Sequence, residues 1–185
     1  MIKDVKQRAD EQMVAARDAV RHRLGRLRTG KATPALLDGV RVEYYGTPTP
    51  LNQLAGIAAP EARLLTVTPY DRSAVAEIEK AIRAGNLGLN PSSDGLVVRV
   101  PIPELTEERR REYTKLAREI AEEGRIAVRK ARQDANDRLK KIEKDRGAPE
   151  DEIGGARAEI QKLTDRYCGE IDEIAKAKET EIMQL

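Results

Sequence analysis

Apolar side chains recur every three or four residues along both ends of this chain, and between those ends the rhythm stops. The N-terminal line is Ile2, Val5, Ala9, Met13, Ala16, Val20, Leu24 and Leu27. Such spacing predicts an amphipathic helix of roughly 40 Å, at about 1.5 Å per residue. A second line runs through Tyr113, Leu116, Ile120, Ala127, Ala131, Ala135 and Ile142. Thr106 is placed to cap that helix, Glu107 and Glu108 suit its first turn, and Gly147 stops it. Pro149 suits the first turn of a third helix, followed by Glu150, Asp151 and Glu152. Its line is Ile153, Ala156, Ile160, Leu163, Tyr167, Ile171, Ile174 and Ile182. Three long amphipathic helices, two of them joined by a short loop, predict an elongated antiparallel three-helix bundle.

The interruption has a β grammar. Val40 to Tyr45 alternates as a strand does, and Arg63 to Thr68 and Leu96 to Val100 are rich in β-branched residues. Six of the nine prolines fall between Pro34 and Pro91, and Pro101 and Pro103 close the segment. Asp71 to Ala84 reads as one short helix with Gly85 at its end. Tyr44-Tyr45-Gly46 reads as a strand ending at a turn, with one tyrosine buried. The expected fold is therefore α+β: residues 1–30 and 105–185 form the bundle, and 31–104 form an inserted β/α/β domain. Two connections join them, near 29–34 and 101–105. Gly30, Lys31, Thr33, Pro34, Pro101 and Pro103 are the candidate hinge residues, with Gly30 expected to end the first helix.

The same junction holds Gly25-x-x-x-x-Gly30-Lys31-Ala32, one residue short of a phosphate-binding loop. Ala32 replaces the hydroxyl that would hold magnesium, a helix rather than a strand precedes the loop, and Thr33-Pro34 disfavours a helix after it. A nucleotide hydrolase is thus the weakest reading. A catalytic role finds no other support. His22 and Cys168 are the sole histidine and cysteine, too few for a zinc site of ordinary ligand count. His22 has no acid or nucleophile partner in view, and Cys168 lies beside the apolar line of the third helix. No cofactor or metal is expected. No apolar run approaches a membrane span, which, without a signal core, points to a cytoplasmic monomer with no membrane partner.

Charged residues make up 36% of the chain, yet the net charge is only +2. The two signs are segregated. Residues 1–29 carry eight Lys or Arg against four acids, 125–146 nine against four, and 148–185 five against ten. On an ideal helix Arg110, Arg118, Arg125, Arg129 and Arg132 fall within a sector of roughly 100° beside the apolar line. A solvated face with internal salt bridges is one reading, and Glu122 and Asp134 can offset part of the charge. The other is a phosphate-rich partner, which arginine suits through bidentate contact. Tyr113 is the one aromatic there and points to the core, so backbone and shape recognition of structured RNA fits better than base stacking.

Four strings then carry a resemblance: RTGKATPALLDGVRVEYYGTPTPLNQLA (28–55), GLNPSSDG (88–95), VRVPIPELTEERRREY (98–113) and VRKARQDAND (128–137). In these the chain resembles bacterial ribosome recycling factors along essentially its whole length. The resemblance implies a two-domain, L-shaped molecule that mimics tRNA in outline. It implies a factor that works with elongation factor G and its GTP hydrolysis to split the post-termination ribosome. The bundle would lie on large-subunit ribosomal RNA and the smaller domain would face elongation factor G. Arg110, Arg129 and Arg132 match the family's basic positions. Gln133 stands where a second arginine is frequent, which shifts the expected contact to Arg132. Arg28, Arg118 and Arg125 complete the candidate RNA-binding set. A helical coiled-coil module that binds only protein is the alternative.

Overall fold

The computed structural model describes residues 1–27, 29–85 and 87–184. These fall into two compact units, Met1–Leu24 with Glu112–Leu185, and Gly25–Arg111.

The first unit contains α1 (Ile2–Gly25), most of α4 (Glu107–Arg146) and α5 (Glu150–Met183). Contacts across the helices give their directions. Lys6 bonds Glu159 and Arg17 bonds Glu170, so α1 and α5 run parallel. Arg125 meets Asp172 and Arg157 meets Glu143, so α4 runs antiparallel to α5. The core line of α5 is close to that expected, with Ile160, Ile171 and Ile182 fully buried. Tyr167 joins it at 3% exposure, its hydroxyl donating to Asp10 at 2.6 Å, with the Arg17 and Arg166 guanidinium groups 5.4 and 5.3 Å from its ring centroid. The Arg17 contact, with the bond to Asp10, anchors α5 to α1, whereas Arg166 lies on α5 itself.

On α4 the expected core line is displaced. Leu116 and Ala127 are exposed, and the buried residues are Ala117, Ile120, Ala121, Gly124, Val128, Ala131, Ala135 and Leu139. Ile120, Ala131 and Ala135 of the expected line are buried as expected, and the rest of this face is rich in small residues that let helices approach closely. Gly124 is the tightest point: a Cβ there would lie 2.2 Å from Val20 Cγ2 and 3.4 Å from Ile171 Cδ1. Val20 is β-branched and stiff, so it cannot swing aside cheaply. Gly124→Ala is therefore expected to destabilise by about 1–2 kcal/mol, overpacking outweighing the usual gain of alanine in a helix. A denaturant midpoint at or above that of the parent chain would refute it.

Helix ends follow local chemistry, with two corrections. Thr106 caps α4 through its hydroxyl, which accepts from the Arg109 amide at 3.2 Å, and Gly147 ends the helix at φ +62°. Pro149 sits at the cap of α5 rather than inside its first turn, and its carbonyl accepts from the Glu152 and Ile153 amides. α1 ends at Gly25, five residues before Gly30.

The second unit carries β1 (Arg41–Tyr44), β2 (Thr47–Pro50), α2 (Leu51–Leu54), β3 (Ala55–Glu61), β4 (Leu64–Pro69), α3 (Val75–Ala84), β5 (Ser92–Ser93) and β6 (Val98–Pro101). β1 and β2 form an antiparallel hairpin, and the other four make an antiparallel sheet in the order β3-β4-β6-β5. α3 packs on this framework through Val75, Ile78 and Ile82, against a core that includes Val42, Leu65, Val67, Val98 and Val100. Gly85 follows α3 at φ −75° and ends it, as expected. The β1–β2 turn places both Tyr45 and Gly46 at positive φ, 49° and 77°, which a two-residue hairpin of this kind requires. Tyr45 is exposed, whereas Tyr44 is half-buried and donates to Asp71 Oδ2 at 2.8 Å.

That bond pushes the Tyr44 phenol up to about 12, with burial adding to the effect. The raised value means the stabilisation is complete below the ordinary tyrosine range and is lost as pH rises through about 12. Titration of phenolate absorbance should show this tyrosine ionising about two pH units after an unperturbed one. Tyr44→Phe should remove that late step, and its persistence would exclude the assignment.

Candidate nucleic-acid interface

The basic row of α4 is held by carboxylates that sequence spacing only partly revealed. Arg118 Nε donates to Glu179 Oε1 at 2.6 Å. Arg125 is engaged at all three nitrogens: Nε and Nη2 reach Glu122 Oε2 at 2.9 and 2.7 Å, and Nη1 reaches Asp172 Oδ1 at 2.6 Å. Its side chain is only 22% exposed. Burial pulls the Arg125 pKa down, but the bonds to Glu122 and Asp172 outweigh it and raise the group above the ordinary arginine value. Reciprocally, the Arg125 hydrogen bond and charge hold Glu122 below the usual carboxylate range.

Farther along α4 the restraint loosens. Arg129 makes one long contact, 3.5 Å to Glu122 Oε1, and its side chain is half exposed. Arg132 Nη1 donates at 3.3 Å to the neutral side-chain oxygen of Gln161, whose amide in turn donates to Asp165. Internal restraint thus falls from Arg125 through Arg118 and Arg129 to Arg132, while the Arg118 side chain is 70% exposed and Arg132 is half-buried. Arg110 is half-buried in the first turn of α4, in the part of that helix grouped with the second unit. Arg28 lies outside the described residues. Of the two acids expected to offset the row, Glu122 does so, while Asp134 makes no ion pair among the described residues. Asp172 and Glu179 were missed because they come from α5, and intrahelical spacing carries no signal for them.

The candidate hinge residues occupy varied settings. Gly30 is at φ +80°, a conformation that favours glycine. The Ala32 amide donates to the Ala62 carbonyl at 2.7 Å, and the Ile102 amide donates to the Arg63 carbonyl at 2.8 Å. Both connecting segments are therefore stitched to the β3–β4 turn. Thr33 and Pro34 open a 3-10 turn that runs Pro34–Leu37, and Pro101 pairs with Leu64 in the sheet. Lys31 and Pro103 are exposed. Among the described residues no strand precedes Gly30 and no α-helix follows Lys31 directly, so they do not form the local frame of a phosphate loop.

Other chemistry is sparse. Cys168 is a half-buried free thiol whose pKa burial pushes up, the setting of an unreactive cysteine. His22 is exposed on α1. Among the described residues no group of three His, Cys, Asp or Glu is placed to hold a metal ion, and no helix is long and apolar enough to cross a membrane.

Known proteins place this arrangement. The ribosome recycling factor family profile matches residues 20–183. Ribosome-recycling factors from Shouchella clausii and Bacillus subtilis are 55% and 51% identical to the chain, each alignment covering all of both proteins. The solution structure of a ribosome recycling factor superposes with a TM-score of 0.82 at 41% identity, covering 100% of this chain and 98% of that one. Another similar structure, with a TM-score of 0.71 at 45% identity and full coverage of both chains, belongs to a set modelling the T. thermophilus ribosome recycling factor and the E. coli elongation factor G on the E. coli post-termination complex. The two-unit fold and the full-length match agree: this chain belongs to the ribosome recycling factor family, a family of translation factors and not of enzymes.

Proposed function

We propose that this chain acts in the cytoplasm on the post-termination ribosome and, with elongation factor G and GTP, splits it into subunits for reuse. Full-length family membership carries this reading. The first unit binds large-subunit ribosomal RNA through Arg132 and Arg129, with Arg118 contributing and Arg125 held back by its carboxylates, and Arg110, at the start of α4 in the second unit, adds to the same row. Arginine forks on a helix face recognise phosphate backbone and RNA shape, in keeping with the half-buried Tyr113 and the lack of a stacking platform. Energy for splitting comes from the partner GTPase, and the second unit receives its push. Light scattering of post-termination ribosomes tests the proposal. Scattering should fall only when this protein, elongation factor G and GTP are all present; a fall without this protein, or none with all three, refutes it.

The connection through Gly30 gives the reading a mechanical test. Proline fixes φ near −65° and so cannot occupy the left-handed conformation of Gly30. Gly30→Pro should leave ribosome binding within about threefold of the parent while slowing splitting at least roughly tenfold, because conformational steps then limit the reaction. Equal loss in both assays, or none in either, would rule out a hinge role there.

A further inference from the structure

Glu122 and Asp172 sit inside the row that the proposed function assigns to RNA, and their carboxylate oxygens are bonded to arginine nitrogens of that row. Each carboxylate bonds an arginine fork: Glu122 touches Arg125 and Arg129, and Asp172 touches Arg125. Glu179 does the same for Arg118. Three arginines of the row, Arg118, Arg125 and Arg129, therefore face three internal carboxylates. Arg118, Arg125, Asp172 and Glu179 together line a groove of about 150 Å³ between α4 and α5.

A structural clamp alone would account for Arg125. Glu122 goes beyond that clamp: besides its tight pair with Arg125 through Oε2, its second oxygen reaches Arg129 at 3.5 Å. Glu122 and Asp172 are also half or more exposed, so solvent and an incoming polyanion reach them as readily as the arginines do.

Resting on the reading of this face as an RNA surface, we propose that Glu122 and Asp172 are specificity-determining residues, internal competitors that make α4 reject RNA of the wrong shape. An RNA strand that meets the row in passing must compete with carboxylates already bonded to Arg125 and Arg129. Such a strand gains few contacts, and counterion release, which drives non-specific binding, is reduced because the carboxylates neutralise part of the row beforehand. An RNA surface whose shape matches the helix reaches Arg132, Arg129 and Arg118 together and prevails. The acids thus lower affinity for every RNA, but most for those that rely on charge alone.

The test compares Glu122→Gln, Asp172→Asn and the double variant in binding to the large ribosomal subunit and to an unrelated RNA duplex, over a range of salt. The amides keep the size of the carboxylates and remove their charge. The double variant should bind the unrelated duplex about tenfold more tightly at low salt, with a salt slope steeper by about one. Binding to the subunit should tighten by less, so discrimination should fall several-fold. Unchanged discrimination and slope, with a parental circular dichroism spectrum, would overturn the proposal. So would loss of fold in both single variants, since the carboxylates would then be structural requirements. Arg129→Ala with Arg132→Ala runs alongside. If that pair leaves subunit binding intact, the RNA reading itself fails; if it weakens binding while the amide variants change nothing, only the competitor role fails.

Discussion

Ile160→Asp is expected to unfold the three-helix unit. Ile160 is fully buried on α5, one turn before Thr164, whose hydroxyl donates to the Ile160 carbonyl. An aspartate there has no cationic partner within the core, so it must either ionise in an apolar setting or remain protonated at the cost of its solvation. The cost should exceed about 4 kcal/mol, a large share of the roughly 5–15 kcal/mol that holds a domain together. Loss of far-ultraviolet helical signal at room temperature, or a melting midpoint lowered by more than about 10 °C, is the expected reading. A parental midpoint would mean the core face of α5 has been misassigned. Ile160→Val checks the cause, since it removes one methylene without adding charge and should cost only about 1 kcal/mol.

The second large effect is on binding. Arg129→Ala with Arg132→Ala should weaken association with the large subunit by more than about a hundredfold, taking each lost charged hydrogen bond at roughly 1.5–3 kcal/mol. Both arginines are surface groups without strong internal partners, so the fold should survive. The slope of log affinity against log salt should become shallower by roughly one for each lost phosphate contact. Arg125→Ala offers the contrast. It breaks the α4–α5 clamp and should lower stability by about 1 kcal/mol, as a partly exposed ion pair does. It should leave the salt slope nearly unchanged. If Arg125→Ala flattens the slope as much as the double variant does, the ranking of restraint along α4 is wrong.

What sequence could reveal depended on how local each signal was. The α5 core line was visible because large branched residues mark it. On α4 the line was drawn through Leu116 and Ala127, since alanines and a glycine give no amphipathic contrast against one another. β1, β4 and β6 were visible from their β-branched residues. β3, with Gly56, Ala58, Ala59 and Pro60, looks like a loop and becomes a strand only through pairing with β4. β2 was hidden by Pro48 and Pro50, and it is tolerated as one side of a two-stranded hairpin. The arginine row was legible as a helical sector. Its neutralisation by Asp172 and Glu179 was not, because that depends on which face of α5 meets α4.

The small-residue face of α4 has a consequence for how this family member would look under mutational scanning. Truncation scans find cores by deleting side chains, and much of this face already ends at Cβ or before it. Ala117, Ala121, Ala131 and Ala135 offer nothing to truncate, and Gly124 can only grow. An alanine scan would therefore see that surface only through Ile120, Val128 and Leu139 and the methyl added at Gly124, and would pass over its four alanines. A scan with leucine or methionine would reverse that picture, with the sharpest losses along the face that the first scan had passed over.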